Sequence, residues 1–554
     1  MIRSRLTRRS LLATAAAATI TALPASPRAA GTPPVASPAA SPTASLPAGA
    51  TAACTLNVRL DTETRILTGT EAIVWRNTTG RTQDTLFLRL YPNAAYYDDA
   101  ETRLSQIRVD GQAATPTLHA DPTVAAIPLG RPVVPDDTAR IDLAFETRVP
   151  LGASGSFGIL GLDAARGSWA LADWYPILAG WEPERDAWYL DAPTPFGDPT
   201  FPETAAYTLD LTAPEGFALV STGEVTAVTR TTGREGAIPS RTWRVKSGPV
   251  REFAMTLLPE TSDGNGDLHH LPATDAPPAS PAETPVASPA SDRTRDDPAV
   301  SLAIYTGEDI PGLADTILTT ARTALPAYRA LLGPLPIGSL EIASARLAGA
   351  NGVSWPGMIW LDLSTLTRDG ELSDLEVPGL RFTMTHEVGH QWIGGLVGLN
   401  SNDHGFLLEG LTNALAIGVI REAWGATAAV EATARFVAGP YSGLVRDGRD
   451  VIAAQPLTAD TNVVLRALGV YGKAGLGFEA IRQAMGDAAW RAALGDLAAR
   501  FRFGIITPGD LRAALVASSP DPQRAEVEAR WTFWFEDART TPADIDPVVQ
   551  GAGA

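Results

Sequence analysis

The 554-residue sequence predicts a multidomain protein: an antiparallel β domain followed by an α+β unit whose C-terminal part is mostly helical. Three observations carry this prediction. The chain is too long for one hydrophobic core at roughly 150 residues per domain. Between 52 and 260 it shows short alternating apolar runs split by Gly, Pro, Asn and Asp, the period of half-buried strands. From about 311 apolar residues recur with helical spacing almost to the end.

The elements follow in order. Residues 1–30 read as an export signal of the twin-arginine type, with Arg3, Arg5, Arg8 and Arg9 ahead of the apolar run "LLATAAAATITALPA" and "TRRSLL" at 7–12. This predicts an extracellular or cell-envelope location, with a membrane anchor formed by an uncleaved signal as the alternative. The run is short and rich in Ala and Thr against the roughly 20 strongly apolar residues of a spanning helix, so no stable membrane span is expected after processing. Residues 31–51 form an Ala/Pro/Ser linker expected to be disordered, and "PVASPA" at 34–39 recurs at 285–290 within a similar stretch, 261–298. "TLNVRLD", "TEAIVWRN", "ARIDLAFETRV" and "AYTLDLTAP" are strands of the β domain. "AVSLAIYTG" at 299–307 reads as one more, giving a domain of 52–308 with 261–298 as an insertion. In the second unit, 309–540, "LADTILTTARTALPAYRALLG" predicts a helix, and "SLEIASARL" and "GMIWLDL" predict strands. Residues 541–554 are taken as a tail.

Composition narrows the function. Acidic residues outnumber basic ones 62 to 44, for a net charge of −18, and no Lys/Arg stripe marks a phosphate surface, which argues against nucleic-acid binding. Cys54 is the one cysteine, so an intramolecular disulfide and a multi-cysteine metal site are excluded. Any metal must be held by His and carboxylates. Cys54 itself reads as an inert thiol near the first strand.

"THEVGHQWIGG" at 385–395 places His386 and His390 one helical turn apart, so both imidazoles can face one ion with Glu387 beside them. The motif alone leaves a plain alternative open, a helix with two ordinary histidines. Three of the six histidines, His386, His390 and His404, lie within nineteen residues, and Glu409 follows His390 after eighteen intervening residues at the start of a second helical run. Two His and one Glu, with the fourth position left to water, is the catalytic arrangement for zinc. The rival metzincin pattern needs Gly and His where this chain has Ile393 and Leu396.

"THEVGHQWIGGLVG", the eighteen-residue gap and "LLEGLTNAL" resemble the zinc signature of the aminopeptidase N and leukotriene hydrolase family of gluzincin metallopeptidases, in a short bacterial form. "LRLYPNA", "DWYPIL" and "GDPTFPETAAYTLDLTAPEGFALVSTGE" resemble that family's N-terminal β domain, and "VYGKAGLGFEAIRQAMGD" its Tyr-x-Lys-Gly segment, with Ala474 where the Gly usually stands. The resemblance covers about 52–540. It implies a thermolysin-like catalytic domain, one zinc ion held by His386, His390 and Glu409, Glu387 as general base, Tyr471 as the tyrosine that stabilises the transition state, and peptides as substrates. Asn413, one turn beyond Glu409, either orients a ligand or packs ordinarily on its helix. His404 reads as a connector residue, with lining the site as the alternative.

Two departures bear on specificity. The family binds its substrate's free amine through a Gly-x-Met-Glu-Asn type motif, for which this chain has "NGVSWPGM" at 351–358. Gly352 agrees, but Ser354 replaces the glutamate, leaving open whether a carboxylate from elsewhere, such as Glu341 or Asp362, takes its place. The chain also ends soon after "RWTFWFED", where longer members carry a helical-repeat domain, so a more open cleft is expected. The leading reading is an exported, aminopeptidase-like zinc peptidase. An endo- or oligopeptidase on the same scaffold and a catalytically silent peptide-binding relative are the alternatives.

Overall fold

Strict alternation builds the N-terminal half. In Ala52–Asp61 the residues Ala52, Cys54, Leu56, Val58 and Leu60 are buried in turn, because successive side chains of a strand point to opposite faces. The computed structural model describes residues 46–554 except 120, 154, 198–200, 232–237, 261–267, 272–299, 307–309, 369–370 and 459. The export signal, most of the linker and nearly all of the 261–298 insertion therefore lie outside the described residues.

Eight strands form the main sheet, in the order Glu224–Thr231, Ser240–Val250, Ala205–Pro214, Ala52–Asp61, Ile66–Arg76, Thr138–Arg148, Glu101–Val109, Gln112–Ala113. Its pairings are antiparallel except that of Ala52–Asp61 with Ala205–Pro214, which is parallel. Two four-stranded sheets and the two-stranded pair Trp181–Glu182 and Ala187–Trp188 complete the domain. Its core is aromatic-rich and includes Trp75, Phe145, Trp169, Trp174, Tyr207 and Phe253.

The second unit has a five-stranded sheet ordered Leu268–Leu271, Ser301–Tyr305, Ser339–Ser344, Met358–Leu361, Gly352–Trp355. Ser301–Tyr305, expected in the β domain, belongs to this sheet, where it runs parallel to Ser339–Ser344. Leu302, Ala303 and Ile304 are buried consecutively, the pattern of a strand covered on both faces, and a short apolar run does not say which sheet will take it. Leu268–Leu271 pairs with it from inside the segment expected to be disordered. Against the sheet pack Leu313–Leu332 and the helix Val377–Gly389, which are tied by Tyr328 Oη donating to the Thr385 carbonyl at 3.0 Å and by Tyr328 stacking on Trp392.

The rest is helical, from Ser401–Gly405 to Pro542–Gly551. That last helix occupies the expected tail: Thr541 and Asp544 form a reciprocal capping box, and Ile545, Val548 and Val549 are buried in the main core. Its signals, Thr-x-x-Asp around Pro542 and apolar residues at i, i+3 and i+4, are ordinary ones. Arg251 joins the two halves, donating to the carbonyls of Pro202, Phe503 and Gly504. No helix among the described residues is long and apolar enough to cross a membrane.

Candidate active site

His386 and Glu387 lie in the helix Val377–Gly389, which Pro378 opens, and His390 caps its end, its N–H bonded to the His386 carbonyl at 3.2 Å. The i, i+4 spacing brings the two Nε2 atoms to 2.8 Å. Glu409 reaches the same point from the next helical segment: its Oε2 is 3.2 Å from His386 Nε2 and 3.5 Å from His390 Nε2. Each of the three offers one ligand atom, all within 4.8 Å of one another.

Glu409 Oε2 is buried without a hydrogen-bond donor. A carboxylate oxygen so placed, facing two imidazole nitrogens, fits a divalent cation, and the His/His/Glu donor set suits zinc. Burial pushes the Glu409 carboxyl up, but the charge of His390 and the neighbouring His386 overcome this and hold it well below the usual carboxylate range. Burial likewise pushes His390 down, and Glu409 carries it up to about 9. Without a cation, then, the carboxylate favours a proton on His390, which a metal would displace.

The two imidazoles are oriented differently. His390 Nδ1 lies 3.1 Å from the Ile393 carbonyl, a partner that fixes ring and tautomer. His386 Nδ1 has no such partner, and its ring instead lies near-parallel to Phe382 at 6.4 Å. Glu409 sits in a π-helical turn, Phe406–Gly410, and Tyr471 in another, Leu468–Lys473, a local widening that recurs at functional sites. The two turns meet closely because Gly410 lacks a side chain: a Cβ there would lie 2.4 Å from Ala474 Cβ. Ala474 thus fills space opposite a glycine.

The Tyr471 ring lies 6.4 Å from that of His386 and lines the same cleft. Asn413 reaches the tyrosine segment. Its Nδ2 donates to the Tyr471 carbonyl at 3.0 Å, so it supports the tyrosine segment from the neighbouring helix. His404 lies off the cleft in the connector, its Nε2 2.6 Å from Glu184 Oε2 in the β domain.

Gly352 and Ser354 share one face of the edge strand Gly352–Trp355, as period two requires, and that face meets Glu387. Ser354 Oγ lies 2.7 Å from Glu387 Oε2 and 2.9 Å from the Glu387 carbonyl. At Gly352 a Cβ would come within 2.6 Å of Glu387 Oε1. Ser354 therefore touches the expected base, a contact that sequence reasoning did not foresee.

Sequence reasoning also passed over Gln391. Its side chain accepts from Gly357 N at 2.8 Å and donates to the Trp355 carbonyl at 3.0 Å, fastening the edge strand to the metal helix. Its place directly after His390 and before the buried Trp392 was the available signal. Neither Glu341 nor Asp362 takes up the missing charge. Asp362 accepts from the backbone of Leu347 and Ser364, each at 3.0 Å, and among the described residues neither carboxylate lines the cleft. Besides Glu387 and Glu409, the acidic residues that do are Asp173 and Glu252 of the β domain and Glu376. Domain packing brings Asp173 and Glu252 there; Asp173 opens the "DWYPIL" segment, whereas no local motif marks Glu252. The cleft, about 1250 Å3 in volume, runs between the two halves and contains all three candidate ligands, Glu387, Ser354 and Tyr471.

No family profile matches the chain. It is 26% identical over 294 residues to an aminopeptidase N from Lactobacillus helveticus, covering 50% of this chain and 34% of that protein, so it spans about a third of that relative's length. Its structure is similar to that of an M1 zinc metallopeptidase from Deinococcus radiodurans, with a TM-score of 0.60 at 17% identity over 90% of this chain and 95% of the other. A two-domain M1 zinc metallopeptidase mutant bound to L-arginine gives 0.59 at 16% over the same shares, 90% and 95%. A mutant of the Deinococcus radiodurans enzyme bound to a Tyr-Ser-Ala substrate gives 0.58 at 16%, again over 90% and 95%. The chain has the two-domain M1 zinc metallopeptidase fold, and the resemblance to the aminopeptidase N family that its HExxH and downstream glutamate carry is borne out in sequence and in structure.

Proposed function

We propose that this chain is a zinc-dependent peptidase that acts on peptides in an aminopeptidase-like manner. The observation that carries the reading is the convergence of His386, His390 and Glu409 beside Glu387 in one cleft. One zinc ion, when bound there, polarises the scissile carbonyl and makes water acidic enough to attack near neutral pH. Glu387, buried against the cluster, takes the proton from the attacking water and returns it to the leaving amine. Tyr471 donates a hydrogen bond to the oxyanion as it develops, an interaction made mainly in the transition state. Asp173 and Glu252 supply negative charge on the cleft wall, the chemistry that a substrate ammonium group requires.

A second reading, cleavage of longer or N-terminally blocked peptides, has its own support. The residue in the amine-binding position is an uncharged serine already bonded to Glu387, and the cleft is lined by the exposed apolar residues Phe196, Leu375 and Val464. Assaying the same peptides with free and acetylated N-termini separates the two. An aminopeptidase loses nearly all activity on the acetylated form, whereas equal rates establish the second reading. Export by the N-terminal signal belongs to the same proposal and is checked by fractionation and N-terminal sequencing of the mature chain. Retention of the first thirty residues in the cytoplasmic fraction contradicts it.

A further inference from the structure

We infer that Ser354 is a positioning residue for Glu387, holding the base carboxylate against the metal cluster instead of receiving the substrate's amine. The inference rests on the peptidase reading and deepens it.

A serine hydroxyl has one hydrogen to donate. Both acceptors within its reach, Oε2 at 2.7 Å and the main-chain carbonyl at 2.9 Å, belong to Glu387. That proton is committed, and the stronger share goes to the charged acceptor. On the other side of the carboxylate the strand comes so close that a Cβ at Gly352 would reach Oε1 within 2.6 Å. One oxygen is thus bonded and the other walled in, by two residues of one strand face. A glutamate has several freely rotating bonds, and beside a cleft of about 1250 Å3 its carboxylate would otherwise have room to swing away.

The support is itself rigid. Gly352–Trp355 pairs with Met358–Leu361 through the two-residue turn Pro356-Gly357, where Gly357 has φ 78°, the value required at the third position of a type II turn. Gln391 then bonds both the turn and the Trp355 carbonyl to the end of the metal helix. Ser354 is therefore fixed relative to the very helix that carries Glu387, as a residue that preorganises a base must be.

The test uses the zinc-loaded full chain and its Ser354→Ala and Ser354→Thr variants. It measures zinc content, kcat and KM on one peptide in free and N-acetylated forms, and adds crystal structures of wild type and Ser354→Ala. We expect Ser354→Ala to keep its zinc and to lower kcat roughly tenfold, the scale of a lost supporting hydrogen bond, by the same factor on any form that wild type cleaves. KM should stay within about twofold, and Ser354→Thr, which restores a hydroxyl, should recover most of the rate. In the Ser354→Ala crystal the Glu387 carboxylate should leave its wild-type position. A KM increase confined to the free-amine peptide, an unchanged kcat, or a carboxylate that stays in place would overturn the inference. Should wild type cleave no peptide, the peptidase reading falls, while the crystallographic arm still decides whether Ser354 holds Glu387.

Discussion

Two glutamates with buried carboxylate oxygens, one in each half of the molecule, meet opposite fates. Glu409 faces His386 and His390, which hold its carboxyl well below the usual range despite burial. Glu71 sits on the inward face of Ile66–Arg76, between the buried residues Leu67, Ile73 and Trp75. Neither of its oxygens meets a nitrogen or oxygen donor, and burial pushes it well up against the smaller, lowering effect of the Cys54 thiol. What separates them is the partner: an ionised carboxylate survives burial only where positive charge or donors repay its lost hydration. Glu409 is set to receive a cation, whereas burial shifts Glu71 toward its neutral form.

The largest effect that could break this comparison is loss of the metal. Glu409→Gln should abolish stoichiometric zinc and lower peptide hydrolysis by about 10³-fold or more, read by metal analysis and steady-state rates. Full zinc occupancy in that variant removes Glu409 from the ligand set. Next in size, Glu387→Gln should keep zinc and lose about 10²- to 10⁴-fold in kcat; activity near wild type would show that another group moves the proton. Tyr471→Phe should cost about 10²-fold in kcat with little change in KM, and an unchanged rate would remove the tyrosine from the chemistry.

The smallest effect lies in the β domain. Because Glu71 has a raised pKa when folded, the stability tied to its neutral form is present below the unfolded carboxyl's pKa and is lost as pH rises above it. Glu71→Leu should therefore raise the melting temperature by about 2–4 °C at pH 7 and by less at pH 4. Calorimetry that finds lower stability at pH 7 would show that Glu71 is better partnered than its surroundings indicate.

The site was legible where chemistry is written at fixed spacing. His386, Glu387, His390 and Glu409 follow from helical periodicity and a gap, and Tyr471 from the resemblance of its segment to the family's Tyr-x-Lys-Gly. What escaped depends on contact between distant segments. Ser354 is thirty-three positions from Glu387, and only strand packing shows that it serves the base. Asn413 has the spacing of a ligand's helper, but its helix turns it toward the Tyr471 carbonyl. In the fold, alternation exposed the β domain directly. It misassigned Ser301–Tyr305 because a run buried on both faces has no period to read, and the tail was passed over although Thr541, Asp544 and three apolar positions spelled a capped helix.

Measurement of zinc in the purified chain, paired with hydrolysis of a mixed peptide library before and after chelation, tests the central claim most directly. One zinc per chain, cleavage of peptides, loss of both on chelation and their return on adding zinc is the predicted result. A chain without zinc, or a zinc-loaded chain that cleaves no peptide, would contradict it.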